Sequence, residues 1–203
     1  MKSEMNNKIK RIIIALIGTV ILGIGLGLTS AADIGSDSLN GFLLSMYPIL
    51  HISYGQMNTL LCIFMIVVTF IVYRKNIGLA TIFALLITQY PMDFVYNNVK
   101  KPESIGLCLL LFIVGDIIIS LGVGLIIKSD LGMSDYEAFY FSFANRFHWN
   151  FVHVKYVCDA AFLLVVLLLD FSKVGIGTII SYLLKGKLIE FFSKQLDKLI
   201  KYE

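Results

Sequence analysis

The chain writes one pattern twice, and that repetition limits its fold more than any other feature. Moved back by 97 residues, Gly122–Phe139 falls on Gly25–Phe42 without a gap. Gly25, Gly27, Leu28, Asp33, Gly35 and Phe42 then meet Gly122, Gly124, Leu125, Asp130, Gly132 and Phe139. The same shift sets Ile77-Gly-Leu-Ala-Thr-Ile82 against Val174-Gly-Ile-Gly-Thr-Ile179. Two blocks in one register, about 50 residues apart, mark the duplication of a unit of about a hundred residues. Repeat 1 is taken as residues 1–98 and repeat 2 as residues 99–203.

Polarity decides what solvent these copies need. Of 203 residues, 58% are hydrophobic and 15% charged, against about 25% charged in a soluble domain. The chain is therefore expected to be an integral membrane protein. Crossing about 30 Å of hydrocarbon takes about 17–25 apolar residues. Six runs qualify, at about 11–29, 56–73 and 76–93 in repeat 1 and about 105–127, 153–171 and 174–192 in repeat 2. Lys185 and Lys187 interrupt the last, whose final turns are expected to form an interfacial amphipathic helix running to Tyr202. Met1–Arg11 followed by Ile12–Leu28 has the form of a signal peptide, with Thr29-Ser-Ala-Ala32 as a cleavage site. Its counterpart near Ile113–Leu125 is internal, so this segment is kept as the first helix.

Between the first and second runs of each repeat lies an apolar stretch too short to span, about 36–47 (stopped by Pro48) and about 134–147. Twelve helical residues reach only about 18 Å. Ser134 and Glu137 have the spacing of a capping box, and Ser36 or Asp37 can cap the first stretch. With the N-terminus inside, the inner segments collect Lys2, Lys8, Lys10, Arg11, Arg74, Lys75, Lys128, Arg146, Lys155, Lys185, Lys187, Lys194, Lys198 and Lys201. The outer ones hold only Lys100, Lys101 and Lys173, so both termini are expected to be cytoplasmic. Three spans per copy is odd, so the copies must be inverted. The expected fold class is an all-α membrane protein of six transmembrane helices, in two inverted three-helix repeats, each with a short capped half-helix.

Asp116 stands near the middle of the fourth run, where a carboxylate costs about 2.5–3.5 kcal/mol on insertion scales. It reads either as an ion-coupling or substrate-binding carboxylate or as a structural Asp hydrogen-bonded to Ser120. Its counterpart one repeat earlier is Thr19. Asp159, one turn into the fifth run, is a weaker candidate; Asp93 and Asp170 are expected at the interface. Asp33-Ile-Gly35 and Asp130-Leu-Gly132 precede the short helices, as loop caps or as lining of a solute path. Ser134 and Glu137 join that candidate path at a helix N-terminus. Because Asp130, Asp135 and Glu137 crowd this end, it suits a cation or a neutral hydrogen-bonding solute better than a bare anion.

Gly23-Ile-Gly-Leu-Gly27, and Ser120 with Gly124, have the small-residue spacing of close helix contacts. Thr81 and Thr178 are expected to hydrogen-bond between helices. Cys62, Cys108 and Cys158 read as small buried hydrophobes, since they lie in apolar runs at no metal-ligand spacing. His51 and His153, each three residues before a Tyr, read as interfacial histidines or a metal or proton site. Trp149 with Tyr140, Phe147 and Phe151 reads as an aromatic belt. No catalytic triad, paired catalytic carboxylates, phosphate loop or His-Glu-x-x-His occurs, so neither an enzyme nor a cofactor is expected. The dispersed basic residues, net charge +3, do not point to nucleic acid.

At Gly122–Phe139 and Gly175–Phe192 the chain resembles the YczE/YyaS/YitT family of bacterial integral membrane proteins. That family carries segments similar to Gly-x-Gly, then Leu-Gly-x-x-Pro-Trp-Asp, and later Gly-Thr, an apolar run and a Gly. Leu131-Gly132, Gly177-Thr178 and Gly186 match. Asp135, Tyr136 and Glu137 stand at the Pro-Trp-Asp places, and Ser38, Leu39 and Asn40 there in repeat 1. The resemblance implies a multi-span protein of the bacterial plasma membrane. Together these readings lead to a transporter or channel-like carrier of a small solute or ion. The alternative is a non-transporting membrane partner or regulatory protein of a membrane complex. The expected partners are the lipid bilayer and the solute, with a homo-oligomer or another membrane protein left open.

Overall fold

The computed structural model describes residues 2–200, with side chains described for residues 7–150 and 153–200. Every regular element among them is helical. In chain order these are α1 (Lys2–Ala31), α2 (Ser38–Met46), α3 (Tyr54–Tyr73), α4 (Leu79–Ile87), α5 (Gln89–Asn98), α6 (Ile105–Ser129), α7 (Asp135–Phe147), α8 (Phe151–Leu169) and α9 (Ile176–Leu199). Single 3-10 turns at Arg74–Asn76 and Phe171–Lys173 precede α4 and α9.

Local chemistry sets where the apolar runs break. Pro91 has no N–H to donate to the Ile87 carbonyl, and its ring crowds that oxygen. The third run accordingly divides at Thr88 into α4 and α5, and it continues to Asn98 rather than ending near residue 93. Among the described residues, four helical stretches are long and apolar enough to cross a membrane: Asn7–Ala31, Tyr54–Asn76, Leu79–Asn98 and Ile105–Ser129. α8 and α9 fall on the fifth and sixth expected runs, and α9 continues unbroken through Lys185 and Lys187 to Leu199. Tyr202, where an amphipathic end was expected, lies outside the described residues, as do Lys201 and the side chains of Lys2 and Phe151.

Polar and apolar groups are distributed as lipid requires. Ile71 and Leu168 are 77% and 78% exposed, whereas Thr19, Asn58, Asp116 and Ser120 are buried. Water would favour the reverse.

The centre of the molecule is the antiparallel pair α1 and α6, which meet backbone to backbone. A Cβ on Gly18 would lie 2.9 Å from the Gly122 oxygen, and one on Gly122 would lie 2.7 Å from the Leu22 nitrogen. Further along, one on Gly25 would lie 2.7 Å from the Ile119 nitrogen, and one on Gly115 2.9 Å from that of Thr29. No side chain fits between axes this close. Gly23 and Gly27 give α1 a second such face against Pro91 and Val95 of α5, and Gly124 does the same for α6 against Phe192 of α9.

Each long helix leaves through a left-handed break. Asp33 and Asp130 have φ of 48° and 54°, Gly35 and Gly132 φ of 94° and 111°. Each break is stitched to a helix start far away in sequence. Gly177 N–H donates to Ile34 O over 2.9 Å and Ser36 N–H to Lys173 O over 3.1 Å; Ala80 N–H donates to Leu131 O over 3.1 Å. Gly35 abuts Gly175 and Gly132 abuts Gly78 so closely that a Cβ on either would lie within 2.7 Å of the facing Cα. From these stitches α2 lies along α8 and α7 along α3.

Candidate functional site: a buried charged cluster between the short helices

Asp37 takes the N-cap of α2 in extended backbone, and its carboxylate accepts from Asn40 N–H over 2.8 Å. That is one of the two caps expected for this stretch, Ser36 being the other. The same carboxylate ion-pairs with Lys185, which α9 brings in from the side. The Lys185 ammonium also lies 3.9 Å from Asp116 Oδ1, an ion pair too long for a hydrogen bond. Ser181, one turn before Lys185, donates to Asp116 Oδ1 over 3.3 Å. Asp116 is 1% exposed, yet its Oδ2 accepts no hydrogen bond. Ser120, the expected partner, donates instead to the Asp116 backbone carbonyl over 2.7 Å.

α7 enters the same region from the other end of the α1/α6 pair. Ser134 has N-cap backbone, but the expected capping box does not form: its hydroxyl is buried without a partner, as is Glu137 Oε2. The neighbouring side chains are engaged with α3. The Cys62 thiol donates to Asp135 Oδ2 over 2.6 Å, and the Tyr136 hydroxyl to Asn58 Oδ1 over 2.5 Å. Cys62 is thus a polar partner rather than a simple apolar filler. Glu137 lies within electrostatic range of Asp135, Lys185 and Lys155. Asp159 completes the cluster by pairing with Lys155 and accepting from the Tyr140 hydroxyl over 2.9 Å. Tyr140 therefore faces inward, not into an aromatic belt; Trp149 and Phe147 remain exposed, with ring centroids 5.3 Å apart.

A polar ladder leads outward from α2. Tyr54 OH donates to Asn40 Oδ1 over 2.5 Å and accepts from the Ser30 hydroxyl, also over 2.5 Å. Beyond Ser30 a cleft of about 380 Å³ opens between the ends of α1 and α5, lined among others by Asp33, Tyr96, Lys101 and Lys173. Asp33 sits at its rim, 2.9 Å from Lys101 and 3.6 Å from Lys173. Its hydrogen bond raises the Lys101 pKa above the usual value. Asp130 lies at the opposite end, 2.7 Å from Arg11, with its side chain 77% exposed. Gly35 and Gly132 serve the stitches.

A family described as being of unknown function, DUF6198, matches residues 9–194. The chain belongs to DUF6198. This DUF6198 chain is also 22% identical over 179 residues to the uncharacterized protein YyaS of Bacillus subtilis (strain 168), covering 87% of the chain and 89% of that protein. No solved structure matches it. The relative agrees with the YyaS part of the resemblance read from Leu131-Gly132 and Gly177-Thr178.

Of the residues singled out in sequence, Asp116 and Asp159 are placed in the cluster and Ser134 and Glu137 at the start of α7, whereas Asp33, Gly35, Asp130 and Gly132 lie at the helix breaks. Thr81 donates to Met133 O over 2.6 Å between segments, but Thr178 accepts from Gly175 N–H at its own helix start. Asp93, expected to be solvated, ties α5 to α3 by accepting from Ser53 Oγ and Gly55 N–H, both over 2.6 Å. Sequence reasoning missed Lys185, read as an interruption of the last run and an inner-segment charge, and Lys155, counted only among the inner-segment charges. The available signal was that charges within apolar runs come in opposite pairs.

Proposed function

We propose that this DUF6198 protein is a six-span carrier or channel that passes a small solute or ion across the bacterial plasma membrane. In this reading α4 with α5 is one span, α8 and α9 are the fifth and sixth, and the two halves are inverted copies with both termini cytoplasmic. The antiparallel α1 and α6 support it, as do the reciprocal glycine stitches. Helix starts agree as well: α2, α3 and α4 begin at Ser38, Tyr54 and Leu79, and α7, α8 and α9 begin 97 residues later at Asp135, Phe151 and Ile176.

The observation that carries the proposal is the Asp37–Lys185–Asp116 cluster, enclosed by helices whose outer faces are apolar. Intramembrane charges are costly to retain and mark ion or substrate paths. Moved by 97 residues, Asp37 and Asp116 fall on Ser134 and Thr19, and Lys185 on Thr88. Neutral residues thus occupy the same places in the other copy, so a charged cluster is not something the architecture demands. The ladder from Tyr54 to the outer cleft is a route to it. No catalytic chemistry is assigned.

Flux through proteoliposomes tests the proposal, with an internal pH dye and a panel of small solutes. Wild type is expected to carry solute-dependent flux that Asp116→Asn abolishes while eluting as the same folded species. Unchanged flux removes Asp116 from the mechanism. The second reading, a non-transporting membrane partner, is favoured by one observation: Asp37 already neutralises Lys185, as a purely structural pair would. It predicts that Asp116→Asn alters detergent stability or a co-purifying protein, with no flux in either form.

A further inference from the structure

We infer that the ion handled at the buried cluster is a proton, which Asp116 holds while Lys185 is bonded to Asp37 and gives up when Lys185 moves across to Asp116. The inference deepens the transport reading and rests on it for the use made of the proton. Proton binding itself is measured without flux.

One ammonium group stands between two carboxyl groups that are unequally served. Asp37 accepts from Lys185 and from Asn40 N–H over 2.8 Å, at the N-terminus of α2. Asp116 Oδ1 has only the Ser181 hydroxyl at 3.3 Å and the Lys185 ammonium at 3.9 Å. Asp116 Oδ2 has no hydrogen-bond partner among the described residues, although Asp116 is 1% exposed. A carboxylate taken out of water stays ionised only where charge-assisted hydrogen bonds replace its hydration. Asp37 meets that condition and Asp116 does not, so in this arrangement Asp116 is the neutral acid. The other copy holds a neutral group at the same place, the buried hydroxyl of Thr19.

Lys185 makes the proton exchangeable. A shift of about 1 Å would bring its ammonium to charge-assisted hydrogen-bond length from Asp116. Asp37 can stay ionised meanwhile, because Asn40 N–H and the positive end of α2 still favour its charge. The Asp116 proton then passes to water, Lys185 remains an ammonium group throughout, and nothing is oxidised or reduced. Few other charges bear on the exchange. Asp116 is the one carboxyl group within α6, and α1, packed along it, carries no titratable side chain between Arg11 and Asp33. α9 presents Lys185 and the start of α2 presents Asp37, while Asp159 of α8 acts on Lys185.

The test is infrared difference spectroscopy of the purified full chain in nanodiscs, stepped through pH in water and in deuterium oxide. A deuterium-sensitive carboxylic-acid carbonyl band is expected that disappears as pH rises and is missing from Asp116→Asn. Asp37→Asn keeps a good helix cap but frees Lys185 for Asp116, so the band should vanish about one pH unit or more lower. Asp37→Asn combined with Lys185→Met leaves Asp116 without a charged neighbour, and the band should persist about one pH unit or more higher than in wild type. A fixed structural Asp116 would not respond in opposite directions. The inference is overturned if no band depends on Asp116, if the band never yields before the protein unfolds, or if the two Asp37 variants titrate as wild type does. Should Asp116→Asn not fold, Asp116→Thr, the residue of the other copy, serves as the reference, and the Asp37 pair retains Asp116 in any case. A titrating Asp116 without flux retires the transport reading and keeps this one, whereas solute flux with no Asp116-dependent band does the reverse.

Discussion

Lys185 of α9 ion-pairs with Asp37, the residue that caps α2, across 148 residues of chain. One side chain thereby joins the last helix to the first short one and holds a charge beside Asp116. Removing one member of a buried pair leaves the other uncompensated, at about 3–5 kcal/mol, whereas replacing every member by neutral groups costs far less. Lys185→Met should therefore lower the melting temperature in detergent sharply. The triple variant Asp37→Ser, Asp116→Thr, Lys185→Thr, which installs the residues found 97 positions away, should recover most of the loss. A triple variant no more stable than Lys185→Met would show that the pairing is not what Lys185 supplies.

The crossover glycines should be far less tolerant than glycine elsewhere. Gly35→Ala and Gly132→Ala force an L side chain into left-handed backbone, about 1–2 kcal/mol by itself, and drive a Cβ into the facing Gly175 or Gly78. Loss of folded protein on size exclusion is expected for both. A Cβ on Gly186 of α9 would meet nothing within 4 Å, so Gly186→Ala should be neutral or gain about 0.5–1 kcal/mol. Equal yields from all three would contradict the stitches.

Cys62 and Asp135 give a finer test. The thiol is 1% exposed and donates to a carboxylate 73 residues away. Cys62→Ala orphans that oxygen and should cost about 1–3 kcal/mol, while Cys62→Ser keeps a donor and should cost less. Chemical denaturation of the two variants side by side would measure the difference; an alanine variant as stable as the serine one would reduce Cys62 to packing.

Orientation can be read by thiol labelling in a background without Cys62, Cys108 and Cys158. A cysteine at Lys100 should react with an impermeant maleimide from outside, and one at Lys75 only after the membrane is opened. Cysteines at Ser36 and Ser134, 4% and 2% exposed, should react slowly from either side. Labelling of Lys75 and Lys100 from one common side would end the inverted arrangement.

Sequence alone determined the helical segments, the two short stretches between them and several of the glycines at which helix axes meet. These follow from local properties: apolar run length, the φ that only glycine reaches readily, and a 97-residue register printed in the residues themselves. The expected 134–147 stretch became α7, and Gly23, Gly27 and Gly124 proved to be contact points. Other features were decided only by tertiary structure. Ser134 and Glu137 have capping-box spacing but did not pair, and Asp116 found Ser181 and Lys185 rather than Ser120 one turn away. Nor could spacing tell that Asp33 and Asp130 would stay at the rims while Lys185 and Lys155 turned inward. A side chain's partner is fixed by which helix arrives beside it, and in this fold each short helix is met by helices from the other half of the chain.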